Sequence, residues 1–239
     1  MKLTVIYRAC GSEMKQIKPE RPSWFNKLNC WINFYHTFKD KDTEIRFVYD
    51  GDESFLSDLV LEKYKDVKFH TLMEKDNKGS LLFCYQLASN LDSDAFYFVE
   101  DDYLHAPDAA RILKEGVFNL DLVTLYDHPD RYIAPTTDIS FGHETILAGE
   151  YCHWRTAEST TCTVAMKKSF FEYIKNDLIH YCKSGVNAPN DREFYRFIYK
   201  EKKRRLWTPM PGRSTHCISN LLSPYQAWDD INRQTMKSS

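Results

Sequence analysis

Short β-rich runs alternate with amphipathic stretches through the first half of the chain, and this alternation fixes the fold class. Strands that succeed one another through helical crossovers lie parallel in one sheet with helices packed on it. Leu3 to Arg8 reads as the first strand. After a polar loop with Gly11, Pro19 and Pro22, the segment Trp24 to Phe38 sets Trp24, Leu28, Trp31, Tyr35 and Phe38 at helical spacing on one face. Glu44 to Tyr49 alternates as a strand and stops at Asp50-Gly51-Asp52. The pattern then predicts helix over Ser54 to Tyr64, strand over Val67 to Leu72, helix over Ser80 to Leu91 and strand over Ala95 to Val99. The second half is less regular. It reads as helix over Pro107 to Val117, strand over Leu122 to Tyr126, a polar, aromatic-rich stretch to Glu158, strand over Thr160 to Met166, and helices over Lys168 to Cys182 and Asp191 to Lys200, with Pro189, Pro209 and Pro211 marking loops.

A chain of 239 residues, 43% apolar, has enough material for one sizeable core, so a single α/β domain spanning 1–239 is expected. A soft division near residue 127 separates a nucleotide-type half, 1–126, from an acceptor-type half, 127–239. The 32 Lys and Arg against 34 Asp and Glu leave no basic field for duplex binding, so nucleic acid is not an expected partner. Seven cysteines without a CxxC pair point to neither a zinc knuckle nor a closed disulfide framework; a reducing, cytoplasmic setting fits best. The first apolar run is broken by Arg8 and no run approaches the length of a membrane span, so neither a signal segment nor a membrane span is expected.

The chemistry concentrates where Phe96-Tyr97-Phe98-Val99 runs into Glu100-Asp101-Asp102. Three carboxylates leave the carboxyl end of a buried strand, where ligands bind in open α/β sheets. With 34 acids in 239 positions, about 0.7 runs of three acids arise by chance, and roughly 0.02 once four apolar residues must precede them, so the placement carries the signal. Clustered carboxylates repel unless a cation or proton neutralises them, and oxygen ligands suit Mg or Mn. A solvated loop whose acids cap the next helix is the plainer alternative.

This run resembles the DxD region of GT-A fold glycosyltransferases, in a Glu-Asp-Asp form, and other segments fall in that family's order. Leu3 to Arg8 resembles the first strand, whose end, at Tyr7 and Arg8, touches the nucleotide base. Phe47 to Asp52 resembles the second-strand turn in which an aspartate, here Asp50, meets the base. Asn77-Lys78-Gly79-Ser80 resembles the N-x-G turn before the third helix, near the same nucleotide. Pro211 to Cys217 resembles a C-terminal segment whose histidine, here His216, completes the metal site. The resemblance implies a GT-A type, Rossmann-like α/β fold: a mostly parallel sheet with crossover helices and a mixed C-terminal acceptor-side elaboration. It also implies a metal-dependent glycosyltransferase of hexosyltransferase type, with a UDP sugar as donor and a glycan or glycoprotein as acceptor. Asp102 and His216 would hold Mn2+ (or Mg2+), and Glu100 and Asp101 would reach ribose or metal-bound water.

Inverting transfer, the favoured outcome, needs a general base, which family members carry at a helix start in the second half. Asn190-Asp191-Arg192-Glu193 is the matching stretch. With Asn190 as N-cap, Glu193 closes a capping box, and Asp191 is left either as the base, with Glu158 as a second candidate, or as an ordinary first-turn acid facing the helix dipole. His128, Arg131, Tyr132, His143, Tyr151, His153, Trp154 and Arg155 form either a sugar-binding cleft or a loop packed by its own rings. Lys200 to Arg205 reads as a solvated helix end. Two other functions remain: a sugar-phosphate nucleotidyltransferase, which wants a Gly-rich basic loop where Arg8-Ala9-Cys10-Gly11-Ser12 has one glycine, and a non-catalytic sugar- or partner-binding module.

Overall fold

Ala95, Tyr97 and Val99 point to one side of a strand and Phe96 and Phe98 to the other, and all five are buried, so helices must cover both faces. A computed structural model describes residues 1–11, 19–51, 61–74, 76–133, 143–160, 163–186 and 188–238. In chain order the strands are β1 (Leu3–Cys10), β2 (Thr43–Asp50), β3 (Lys68–Leu72), β4 (Ala95–Glu100), β5 (Tyr103–His105), β6 (Leu122–Val123), β7 (Ile146–Ala148), β8 (His153–Ala157), β9 (Val164–Lys167), β10 (Leu206–Met210) and β11 (Ser214–His216). The α-helices are α1 (Lys27–Phe38), α2 (Asn77–Ser89), α3 (Ala109–Asn119), α4 (Asp130–Ile133), α5 (Lys168–Ser184), α6 (Asp191–Lys200) and α7 (Trp228–Ser238).

Nine strands form one sheet in the order β3-β2-β1-β4-β9-β6-β10-β8-β7, and β5 and β11 form a separate antiparallel pair. The first four positions are parallel, as the β–α units require; β9 enters antiparallel between β4 and β6, and β10, β8 and β7 complete a mixed end. The fold is thus the expected α/β class, a mostly parallel sheet with crossover helices and a mixed elaboration. One aromatic core, with Tyr7, Trp31, Phe34, Phe38 and Phe47, lies under α1 and α3. A second, with Phe96, Phe98, Phe171 and Ile198, lies under α2, α5 and α6. A third, smaller cluster joins Cys30, Leu104, Cys217 and Trp228 beneath α7.

Several boundaries move for local reasons. Helix α1 begins at Lys27, not Trp24, because the Asn26 side chain caps it by accepting from the Leu28 amide at 2.7 Å. Helix α2 begins before Ser80 because Asp76 caps it, accepting from the Gly79 amide at 2.9 Å. Most of the helix expected over Ser54 to Tyr64 lies outside the described residues; Leu61–Tyr64 form a 3-10 turn. The strand expected from Thr160 begins at Val164, and 161–162 lie outside the described residues. The strand expected to reach Tyr126 ends at Val123, and Tyr126 makes an isolated bridge to Ser214 instead. Pro209 is not in a loop: it sits in β10 opposite Trp154 of β8, where β10's pairing with β6, confined to Leu206 and Trp207, has already ended. A proline is admissible at such a half-paired position.

Candidate functional site

Parallel register brings the site together. Arg8 pairs with Glu100 across β1 and β4, and Cys10 with Asp50 across β1 and β2, so these residues share the carboxyl end of the sheet. Arg8 leaves the strand on the α2 side. Its guanidinium meets Glu100 directly, and Nη1 donates to the Asn77 side-chain oxygen at 2.6 Å, the Asn77 carbonyl at 3.0 Å and Ser80 Oγ at 2.9 Å. Asp50 accepts from the Asp76 amide at 3.2 Å, which ties the end of β2 to the cap of α2. Lys78 reaches the other way, donating to the Gly185 carbonyl at 3.0 Å at the end of α5. Asn77, Lys78 and Gly79 therefore form the first turn of α2, not a turn before it. Tyr7 points to the opposite face, fully buried against Trp31, Phe34 and Phe47, and its ring is a packing element.

Each carboxylate of the acidic run meets a cation of the chain. Glu100 has Arg8; Asp101 accepts from Lys27 Nζ at 2.8 Å and from the Cys10 amide at 2.9 Å; Asp102 accepts from Arg21 Nη2 at 3.0 Å and faces His216 Nε2 at 2.9 Å. Burial raises the Glu100 and Asp101 carboxyls above their ordinary values, with Arg8 and Lys27 opposing it incompletely. For Asp102 burial also favours the neutral form, but His216 and Arg21 outweigh it and hold the carboxyl well below the usual range. His216 shows the converse: burial disfavours its charge, yet Asp102 carries it above the ordinary imidazole value.

Asp102 and His216 meet because β5 and β11 pair antiparallel, with His216 opposite Tyr103. The Cys217 amide donates to the Asp102 carbonyl at 2.9 Å, and the Tyr103 ring stacks on the imidazole at 5.0 Å between centroids. Asp102 and His216, the two residues expected as metal ligands, thus stand within hydrogen-bond distance of each other. Oδ1 of Asp102 is buried without a hydrogen-bond partner. Among the described residues no group of three or more His, Cys, Asp or Glu side chains is placed to hold a metal, so any ion here draws further ligands from substrate or water. Hard divalent cations often bind through one or two protein ligands plus phosphates.

Beyond His216, the Tyr126 ring stands edge-on to both His216 and His128, at 6.4 and 5.3 Å between centroids. Tyr126 and His128 open on a cavity of about 90 Å3 lined also by Asp130, Arg131, Arg155, Glu158 and Thr160. Glu158 is held by Arg131 and lies 3.8 Å from Arg192. The ring-rich stretch accordingly divides. His128, Arg131 and Arg155 line this cavity beside Tyr126 of the preceding segment, Trp154 is core, and Tyr151 lies on α3 under Arg111. Residues 134–142 lie outside the described set. The capping box is not formed: Asn190 makes no side-chain cap bond, and Glu193 pairs with Arg196 one helical turn on. Asp191 opens α6 beside Cys182, Tyr181 and Tyr195, in a pocket distinct from the one that holds Glu158. The basic run is spent on structure, with Lys202 on Asp177 at 3.1 Å and Arg204 on Asp121 at 2.7 Å.

Sequence reading did not single out Arg21, Lys27 or Cys10. Cys10 ends β1, Arg21 lies in the polar loop and Lys27 opens α1; periodicity marks none of them as functional, and only the folded chain sets them beside acids some 74 to 91 positions away. Among the described residues no helix is long and apolar enough to cross a membrane.

No protein-family model matches the chain, and no curated protein matches it. Solved structures do. A 4-diphosphocytidyl-2C-methyl-D-erythritol synthase from Anaerococcus prevotii superposes with TM-score 0.51 at 13% identity, over 99% of this chain and 96% of that one. A CMP:2-keto-3-deoxy-manno-octonic acid synthetase bound to CTP gives 0.51 at 9% identity over the full length of both chains. A nucleotidyl transferase from Methanothermobacter gives 0.52 at 12% identity, over 100% of this chain and 99% of that one. At such identities the likeness is one of fold: a GT-A-like, Rossmann-related α/β domain.

Proposed function

We propose that this chain is a metal-dependent glycosyltransferase that moves a hexose-type sugar from a nucleoside diphosphate donor, a UDP sugar, to a hydroxyl of a glycan or glycoprotein acceptor. The observation that carries the reading is the meeting of Asp102 and His216, from strand ends far apart in sequence, at the carboxyl edge of the parallel strands. The donor set fits Mn2+ or Mg2+: a carboxylate with an unpartnered buried oxygen and an imidazole nitrogen. When bound there, a divalent cation supplies Lewis-acid stabilisation of charge on the leaving diphosphate.

The chain's own residues do the rest. Arg8, fixed by Asn77 and Ser80, keeps Glu100 oriented at the sheet edge, and Lys27 does the same for Asp101. The first turn of α2, with Asn77, Lys78 and Gly79, presents a helix N-terminus to an anionic donor. Asp50 stands beside that turn as the nucleotide contact. The cavity of Tyr126, His128, Arg131 and Glu158 offers rings and paired charges to the hydroxyls of an acceptor sugar. Asp191 is the proposed proton acceptor for the hydroxyl of an acceptor that extends from that cavity to the separate pocket on α6, with Glu158, which lines the cavity itself, as the alternative. Glu158 sits between two guanidiniums, which hold it as an anchoring group more than as a base.

A second reading, sugar-phosphate nucleotidyl transfer, is favoured by the three full-length fold relatives, whose names describe nucleotidyl-transferring enzymes. The products separate the two. With UDP sugars and Mn2+, free UDP is expected, dependent on the metal and lost in Asp102→Asn. Pyrophosphate release from a nucleoside triphosphate and a sugar phosphate, with no UDP from any donor, would select the second reading and overturn the first.

A further inference from the structure

We infer that Arg21 is a displaceable counter-ion that holds the Asp102 carboxylate until a divalent cation takes it, and that the freed guanidinium then serves the donor diphosphate. The inference rests on the metal reading above. Asp102 Oδ2 is shared by Arg21 Nη2 at 3.0 Å and His216 Nε2 at 2.9 Å, so the arginine occupies the carboxylate that a metal would need. Without it, an anionic Asp102 would stand beside Glu100 and Asp101 with only His216 to neutralise it.

The pair is poorly made, and that is the reason to read it as displaceable. A stabilising arginine–carboxylate pair is commonly bidentate, two N–H groups on two oxygens. Here only one such bond forms; Arg21 Nε and Asp102 Oδ1 are both buried without a hydrogen-bond partner. Each partner leaves a strong group unsatisfied, so an ion able to engage Oδ1 and the imidazole together competes well. The arginine is anchored independently of Asp102. Its Nη1 donates to the Cys217 carbonyl at 2.9 Å, its guanidinium lies over the Phe25 ring at 4.5 Å, and the carbonyl of Glu20 accepts from the Ser219 amide at 2.8 Å. Loss of one bond therefore leaves Arg21 beside the site rather than in solvent, with a positive charge ready for phosphate oxygens.

Mn2+ binding to the full-length protein tests this without any turnover, by the paramagnetic resonance of free Mn2+ in titrations with no nucleotide. A charge-assisted hydrogen bond corresponds to roughly ten- to a hundred-fold in an equilibrium constant. Arg21→Gln is therefore expected to bind Mn2+ at least tenfold more tightly than the wild type, and Arg21→Lys, which keeps the charge but not the fork, to fall between. Adding Asp102→Asn to Arg21→Gln should erase the gain. Titration with UDP supplies the second arm: UDP should strengthen Mn2+ binding more in the wild type than in Arg21→Gln, because binding couplings are reciprocal and the variant has no guanidinium to hand over. Unchanged or weaker Mn2+ binding by a folded Arg21→Gln overturns the inference while leaving the metal reading intact, as does a gain that persists without Asp102. If no form binds Mn2+ even with UDP, the metal reading fails and this inference fails with it.

Discussion

Replacing Arg155 by methionine should destabilise the protein by an amount that depends steeply on pH. Asp127 is fully buried and Arg155 is 4% exposed; the guanidinium meets the carboxylate directly, and the Tyr132 hydroxyl donates to its other oxygen at 2.5 Å. Burial already raises the Asp127 carboxyl, with Arg155 opposing it. Methionine fills much of the arginine's apolar volume but leaves the carboxylate without its cation, which typically costs about 3–5 kcal/mol. The folded chain can escape part of that cost by protonating Asp127. Because the folded carboxyl then titrates above its ordinary value of 3.8, stability is retained below that value and lost as pH rises toward the folded one. The loss is therefore smaller at pH 5 than at pH 7, where it approaches the roughly 3–5 kcal/mol typical of a broken buried pair. Urea denaturation at the two pH values reads both losses, and Asp127→Asn with Arg155→Met should recover most of the loss. A loss equal at both pH values, or a double variant no better than the single one, would refute the assignment of Asp127 and Arg155 as a buried pair.

Two further outcomes follow from local geometry. Gly116→Ala in α3 should destabilise by about 1 kcal/mol in the same denaturation assay although alanine normally gains about that much in a helix, because overpacking costs about 1–3 kcal/mol and the new Cβ would lie 2.4 Å from Trp154 Cη2; a stabilised variant would contradict the packing of Trp154 on this helix. For the proposed transfer, Asp191→Asn should lower turnover by about 10²–10⁴-fold with little change in donor affinity, and Glu158→Gln by much less; steady-state kinetics giving the reverse order would move the base to Glu158.

The parallel half of the sheet was legible because its strands are covered on both faces. Runs such as Phe96 to Val99 carry apolar side chains at every position, and the acids that follow mark the carboxyl end. The helix starts were less so, since Asn26 and Asp76 announce themselves only as single capping residues. The capping box at Asn190 misled for a definable reason: the Asn190 amide it needs is donated to the Tyr181 carbonyl at 3.1 Å, and Glu193 pairs with Arg196 instead. Strands β5 and β11, three residues each, have too little length for periodicity to register, and yet they set His216 against Asp102. Resemblance to a family's order found that histidine; pattern alone would have left it a core residue.

The acidic run itself shows where sequence logic stops. Repulsion among Glu100, Asp101 and Asp102 demands compensation, and from sequence an external divalent cation is the economical source. The chain supplies its own: Arg8 from the strand alongside, Lys27 from the first turn of α1, and Arg21 from the preceding loop. Compensation therefore does not distinguish a metal site from a hub of ion pairs, and the discriminating property has to be how completely each pair is satisfied. Both oxygens of a carboxylate need partners when buried. Asp102 alone of the three leaves one buried oxygen without a partner, and it alone has an imidazole within hydrogen-bond distance. The incomplete pair, not the cluster of charge, is what supports the proposed cation position at Asp102 and His216.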